Sequence, residues 1–472
     1  MKKNYYKTIV LTAVIGLLCS NVWALSSAAG LQKAGKAIKD TPQVIYASPN
    51  GTGDGSSWEN AAGFSSAAAT ARGVIDHQIW LKEGTYLFAT SENFDNLFIY
   101  GGFNGAEDTL DDRNWALYPT ILDGNNAVSP LRNSTTGSDA IPCLLDGVIV
   151  QNGLNPSSEN GGGMIVFKGA VLQNCIFRNN QTQNAKNGAA VHCHIGTIEI
   201  KNCLFINNTS TANGGAVQIG GNATALFTNC TLANNKATGL GGAIGVGTNT
   251  SHSTLINTLA YNNLSSSDTS PVYNSYAQNT NINNGGTITS IHSAIESAST
   301  KFTDGNDVNH IVLTRDGGSP VLPGFAAPAT IIGKSTEQSE IEQIEAASYA
   351  LANGSICIDA GKTDEVSGIS FDLAGKTRVK GTKVDIGAYE FDLDTATLSP
   401  DLSAANITVF VSGNELCVLG AKKSEQLNVY SMQGSLIYSQ KIGGESDCIR
   451  IPLEHRGIYL VNIGIEVIKI NY

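Results

Sequence analysis

Between Cys143 and Ser266, short apolar triplets alternate with Asn and Gly at a nearly constant interval. The Asn that follows the triplet recurs at Asn152, Asn180, Asn208, Asn235 and Asn263, in steps of 28, 28, 27 and 28 residues. A second set, Gly162, Gly188, Gly214 and Gly241, steps by 26, 26 and 27. A fixed period of roughly 20 to 50 residues marks a solenoid, in which each unit is one coil that cannot bury its apolar side alone. Aligned units give three ladders: Leu144, Leu172, Ile200, Phe227, Leu255; then Gly147, Cys175, Cys203, Cys230, Thr258; then Ile149, Phe177, Phe205, Leu232, Ala260. Alternate strand residues face one side, so these ladders are expected to point inward and stack as parallel strands. Asp146, Asn174, Asn202, Asn229 and Asn257 fall between the first two ladders and suit the left-handed backbone of a corner. The Asn repeat itself is expected to be buried, with stacked amides satisfying one another rather than binding sugar.

A further strand follows the Gly pairs. The pattern turns Ile165 and Phe167, Val191 and Cys193, Val217 and Ile219, and Ile244 and Val246 inward. It turns Val166, His192, Gln218 and Gly245 outward, with Lys168, His194 and Gly220. Upstream, strand-like runs begin at Val44, and Ala61 to Ala71 predicts one short helix capping the open end of the solenoid. After Ser266 the period blurs into looser coils. Asp392 to Ala405 reads as a linker, and Asn406 to Tyr472 as a small domain of short alternating strands.

Composition adds an export signal. Lys2, Lys3 and Lys7 precede the apolar run Ile9 to Leu18, and Val22-Trp23-Ala24 follows as a cleavage site, so residues 1–24 read as a signal peptide. Cys19 raises a lipoprotein alternative, but Leu18 stands where a small residue is wanted. No other stretch is apolar enough to span a bilayer. The formal charge of −11 argues against nucleic acid as a partner. Cys175, Cys203 and Cys230 fall on the repeat as small buried hydrophobes, while Cys417 and Cys448 share the last domain and are candidates for a bridge.

Three blocks carry resemblances. Tyr46 to Gly51, Gly55 to Trp58, Ile79 to Tyr86, Tyr100 to Phe103, Arg113-Asn114 and Pro119 to Gly124 resemble the opening coils of secreted right-handed parallel β-helix proteins of the pectate-lyase-like superfamily. Ser355 to Gly361, Asp372 to Arg378 and Asp385 to Glu390 look like the end block (351–391) of the choice-of-anchor Q family, a likeness that implies architecture and surface sorting but no reaction. Leu427 to Tyr430, Leu436 to Tyr438, Pro452-Leu453, Gly457 to Val461 and Lys469-Ile470 resemble the C-terminal sorting domain of type IX secretion. Ser435 and the terminal Tyr472 depart from that pattern. The likeness implies export across the outer membrane of a Gram-negative bacterium through partner export machinery.

The chemistry is sparse. Glycoside hydrolysis needs two carboxylates flanking the bond, yet Gly147 to Ser266 holds just Glu159 and Glu199. A calcium-dependent lyase would need a set of oxygens around Ca2+ that the repeat does not supply. The outward set Lys168, His192, His194 and Gln218 is the candidate for binding an acidic sugar, and Lys168, His192 and His194 the candidates for catalysis. Asp359, Asp372, Asp385 and Glu390, with Arg378 among them, are candidate ligands for a cation such as Ca2+. Their accompanying glycines also fit plain turns plus an Arg ion pair closing the last coil. Trp58, Trp80 and Trp115 suit the core better than a sugar platform.

The expectation is an all-β chain: a right-handed parallel β-helix over 42–394, a linker over 395–405 and a β-sandwich over 406–472. Its expected role is a secreted or cell-surface protein presenting an elongated face to glycan or matrix, without catalysis and without a cofactor. The alternatives are a polysaccharide lyase using the His192/His194 face and a structural surface-layer component.

Overall fold

In a computed structural model, the described residues are 43–391 apart from 73–76, 134–142, 156–158, 248–249, 266–286, 297–308 and 315–319, and 408–471 apart from 413–414, 420–425, 432–435, 443–448, 454–457 and 464–465. The signal peptide, the linker and Cys448 lie outside them. The chain divides into two compact units, Met1–Phe391 and Asp392–Tyr472.

The first unit is a parallel β-helix. Its coils stack into a thirteen-stranded, a nine-stranded and a five-stranded sheet among the described residues. Each coil runs along the thirteen-stranded sheet, turns a corner into the nine-stranded sheet, turns again through the five-stranded one and returns by a Gly turn. Two long strands, Val191–Lys201 and Val217–Thr228, bend through both halves of the widest sheet and join them. The interior is one core. Leu145, Leu172, Ile200, Phe227 and Leu255 are register partners in one column, and Val150, Phe177, Phe205, Leu232 and Ala260 in another. Phe177 and Phe205 stack at 4.9 Å with their rings 5° apart.

These columns correct the first coil of the sequence alignment by one residue. Leu145, Val148 and Val150 point inward where Leu144, Gly147 and Ile149 were expected. The left-handed corner is Gly147 (φ 74°), followed by Asn174, Asn202, Asn229 and Asn257 (φ 49–54°), so Asp146 is not the corner residue. Asn152 (φ 52°) likewise belongs with the left-handed Asn179, Asn207, Asn234 and Asn262 of the second corner. Strand side chains alternate with a period of two, so a slip of one exchanges the two faces.

The buried Asn ladder begins at Asn180. Asn180, Asn208 and Asn235 each donate Nδ2 to the Oδ1 of the next rung, Asn208, Asn235 and Asn263, at 2.9–3.0 Å. The same Oδ1 atoms accept the backbone N–H of the preceding rung. Each amide so satisfied avoids the cost of a buried unpaired polar group, roughly 1–3 kcal/mol. The thiols of Cys175, Cys203 and Cys230 sit at the first corner, donating to backbone carbonyls and fully buried.

Helix α1, Phe64–Ala71, turns Phe64, Ala67, Ala68 and Ala71 into the core at the first strand, Val44–Ala47, as a cap should. Trp80 is buried and packs with Tyr46, Trp58, Tyr100 and Phe103, a structural cluster outside the first coils. Past Ser266 the coils continue through Thr287–Ile291, Ala294–Glu296 and Ile311–Leu313.

Residues 320–391 do not close the last coil. They fold back as a strap along the outside of the nine-stranded sheet. Helix α2, Gln338–Ala346, which the sequence pattern did not predict, and Tyr349, Leu373 and Ala388 pack on the outward side chains Leu204, Ile206 and Ala233. The corner asparagines hold the strap by its carbonyls. Asn202 Nδ2 donates to Phe371 O, Asn207 to Ile331 O, Asn229 to Asp385 O, Asn234 to Ala329 O and Asn257 to Lys362 O, at 2.7–3.2 Å. One row of residues therefore serves two ends: a left-handed backbone for the turn and a side-chain amide for the strap.

The second unit has two antiparallel sheets, one of Thr408–Ser412, Glu415–Leu419 and Ile449–Pro452, the other of Leu436–Lys441, Gln426–Ser431, Ile458–Ile463 and Glu466–Asn471. Leu416 and Val418 of the first share a core with Leu427, Val429 and Val461 of the second, which makes a sandwich.

Candidate functional site

The wall that carries His192 and His194 follows the Gly turns. Its outward column, by register, is Arg132, Ile165, His192, Gln218 and Gly245. Met164 and Val166 point inward, so the expected orientation of Ile165, Val166 and Phe167 is reversed by the same one-residue slip.

Outward here does not mean exposed. Ile165, His192 and Gln218 are 2%, 5% and 4% exposed, because the lead-in turns fold over them. Gly161, Gly188 and Gly241 are left-handed, and a Cβ there would come within 2.8 Å of Ile165 Cγ1, 3.0 Å of Gln218 Cβ and 3.0 Å of Gly245 Cα. A third Asn ladder stacks these turns. Asn160 Oδ1 accepts the N–H of Asn187, Asn187 Oδ1 that of Asn213, and Asn213 Oδ1 that of Leu240, at 2.7–3.0 Å. Asn160 Nδ2 lies 3.2 Å from His192 Nε2. Burial pushes the His192 imidazole down to about 3, and the neighbouring His194 acts in the same direction. His192 is therefore a neutral, enclosed ring rather than a surface acid or base. Gln218 Nε2 donates to Ile219 O, and its Oε1 is buried without a hydrogen-bond partner among the described residues.

What reaches the surface is the next step along the wall. The ring of Phe167 meets His194 edge-on at 5.8 Å, and the Arg132 guanidinium lies over Phe167 at 5.7 Å. Arg132 is paired with Glu159 at 3.1 Å, both side chains more than a third exposed. Ile195, beside His194, is 47% exposed. A guanidinium, an aromatic ring, an imidazole and a carboxylate thus form one row along the helix axis. Lys168 lies one residue beyond this row. Its carbonyl accepts from Asn133 Nδ2, and the residue that meets His194 is Phe167. Of the four residues the sequence grouped, His192 and Gln218 are enclosed and His194 is half-buried. Arg132, Glu159 and Phe167 were missed as site residues, although a cation and an aromatic next to the outward His position were readable once the frame is right.

The carboxylates of the end block serve the strap. Arg378 is 1% exposed and donates to Ala388 O, Gly387 O and Asn202 Oδ1, with Glu390 Oε1 3.4 Å from its Nε. Asp372 accepts from the N–H of Lys376 and Glu390, Asp385 from Asp359 and Phe391, Glu390 from Asp385, and Asp359 from Lys383. Burial raises the carboxyls of Asp372 and Asp385 and pushes Glu390 up to about 8 even with Arg378 beside it. Oxygens already turned onto turn N–H groups around an arginine are a poor donor set for Ca2+. No group of three or more His, Cys, Asp or Glu among the described residues is arranged to hold a metal ion. A polar cavity of about 310 Å³ lies in the first coil, lined by Ser48, Trp58, Glu59 and Asn60 among others, and none of the sequence candidates borders it.

No family model and no curated protein matches the chain. Among solved structures it is similar to a crystal structure of pectate lyase Pel9A, at 15% identity and a TM-score of 0.35, covering 75% of this chain and 97% of that one. The β-helix assignment stands on the strand registers themselves.

Proposed function

We propose that this chain is an exported surface protein whose wall beside His194 binds glycan without cleaving it. The observation that carries the reading is the row Arg132, Phe167 and His194 with Glu159: an aromatic flanked by hydrogen-bonding and charged groups on a rigid sheet, the kind of surface that sugars use. Both acids of the repeat are occupied and lie on different stretches of the coil, Glu159 with Arg132 and Glu199 with Lys201 at 2.6 Å. They do not form a flanking pair. The lyase alternative uses the His192/His194 face, and the enclosure and neutrality of His192 speak against its part in it. We assign export to the signal peptide and the type IX-like sandwich, and the end block to the choice-of-anchor Q type.

A glycan array read beside an absorbance assay for unsaturated uronates tests this. Binding without uronate release is expected, with binding lost in Phe167→Ala and unchanged by a chelator. Release of unsaturated uronates would overturn the non-catalytic reading. A folded chain that binds no glycan would favour a structural coat. Deleting residues 406–472 is expected to abolish surface display, and display that survives the deletion would remove the sorting assignment.

A further inference from the structure

After crossing the corners at Asn234 and Asn207, the strap reaches the end of the nine-stranded sheet whose outward column is polar. That column runs Asp123, Gln151, Arg178 and then turns apolar at Ile206 and Ala233. Lys334 arrives at this polar end from 208 residues away, and its Nζ donates to Asn126 Oδ1. Both partners come from pinned backbone. On the strap, Gly333 N donates to Asn234 O at 2.7 Å, Lys334 N donates to Thr209 Oγ1 at 2.7 Å, and Asn207 Nδ2 donates to Gly333 O at 3.1 Å. Gly333 is left-handed, and a Cβ there would lie 2.7 Å from Thr209 Oγ1, so the strap cannot easily shift at this point. On the solenoid, Asn126 is left-handed and donates its N–H to Asn152 O at 2.8 Å.

Three residues before Asn126 lies Asp123, a buried carboxylate held by Asn125 N, Gln151 Nε2 and Asn152 Nδ2. Its charge acts on the Lys334 amine. Burial lowers that amine to about 8, so near this pH a large share of Lys334 is the neutral, nucleophilic form. The amine meets the carboxamide of exposed Asn126 directly, while Asp123 is engaged with its own three donors and reaches the amine only through its charge. A fixed encounter of amine and amide can replace a very high concentration of free reactant.

We infer that Lys334 and Asn126 join in an intramolecular isopeptide bond that fastens the strap to the solenoid. In the step, the lone pair of neutral Nζ attacks Cγ of Asn126, and a C–N bond forms. Solvent, which reaches the exposed Asn126, carries the proton that Nζ gives up to Nδ2. The tetrahedral centre then collapses, the Cγ–Nδ2 bond breaks, and one ammonia leaves. The sum is a primary amine and a primary amide giving a secondary amide and ammonia, with no change in oxidation state and no other reactant.

Mass spectrometry of the purified, folded full chain, followed by peptide mapping, decides it. Expected is a cross-linked peptide pair containing Asn126 and Lys334, lighter by one ammonia than the two peptides together, with no tryptic cleavage after Lys334. Lys334→Arg and Asn126→Ala are expected at their full mass, and Asp123→Asn is expected to lower the pH at which the rate levels off, because the Asp123 charge holds the amine's pKa up. The rate should rise with pH and level off above about 8. Should a variant fail to fold, the wild-type chain alone still answers. Full mass after prolonged incubation at or above that pH, or ready acylation of Lys334 by an amine reagent in the folded protein, overturns the bond.

Discussion

Ile206 and His194 both point outward from one coil of the solenoid, on two of its walls, and they meet different surroundings. Ile206 lies 3% exposed beneath the strap, in a sheet buried on both sides. His194 stands at an open wall beside Ile195 and Phe167. The strapped flank spends its outward residues on packing, and even its corner amides are committed to the strap's carbonyls. Among the described residues the other wall is roofed by its own Gly turns, and past that roof Arg132, Glu159, Phe167 and His194 contact one another rather than a strap. In a solenoid, where every coil repeats the last, the absence of a covering segment is what makes a face available to a ligand.

The largest blow to the strapped flank should come from Arg378→Met. The guanidinium is the buried cation among Asp372, Asp385 and Glu390, and its loss leaves carboxylates uncompensated, a change that typically costs about 3–5 kcal/mol. Urea unfolding together with limited proteolysis should show the strap released first. A variant as resistant as wild type would mean that packing and the corner amides hold the strap without the guanidinium.

The two flanks should also answer pH with opposite signs. Glu390 keeps its proton in the folded chain up to about 8, whereas an unfolded Glu releases it near the ordinary value of about 4.3. Its contribution is full at low pH and is lost as pH rises to about 8. His192 stays neutral down to about 3, whereas an unfolded His takes up a proton near about 6.5. Its contribution is present above the unfolded value and is lost as pH falls from there toward about 3. Glu390→Gln should flatten the alkaline limb of stability against pH, and His192→Asn the acid limb. If each substitution flattens the other limb, the two assignments are reversed.

Much of this was legible in the sequence. The period showed the parallel coils and the buried Asn ladder from Asn180 onward. The first coil was misread for a physical reason. Later coils carry Asn pairs, such as Asn179-Asn180 and Asn207-Asn208, one residue left-handed outside and one buried inside. The first coil has Asn152-Gly153, and a single Asn can be aligned to either place. The strap has no periodic signature at all, because an irregular segment laid on a sheet from outside need not repeat. Its shadow was present in Leu204-Phe205-Ile206, apolar on both faces, as parallel strands covered on both sides should be. The open-wall row depended on the frame, and so fell with it.

Asn234→Gly is a finer probe of the strapped flank. Glycine keeps the left-handed backbone (φ 58°) and removes only the side chain. Lost are the bonds to Ala329 O and Tyr349 Oη and the one accepted from Asn262 Nδ2. At about 0.5–1.5 kcal/mol for each hydrogen bond, stability should fall by about 2 kcal/mol. A chevron plot of the variant would give the value, and a change within error would show that the corner amides serve the turn alone.

The smallest effect is expected on the open wall, and it is the one the comparison depends on most. Ile195→Ser changes a side chain that is 47% exposed and outside the buried core, so stability should move by no more than about 0.5 kcal/mol. Ile195 borders the row of Arg132, Phe167 and His194, so the same substitution should weaken glycan binding while leaving the melting temperature in place. The contrast with Arg378→Met lies in what each readout reports. One flank should lose its fold and the other its ligand. If Ile195→Ser instead destabilises the chain as much as a strap substitution does, the open wall is covered by something in the folded protein, and its availability to a glycan is gone.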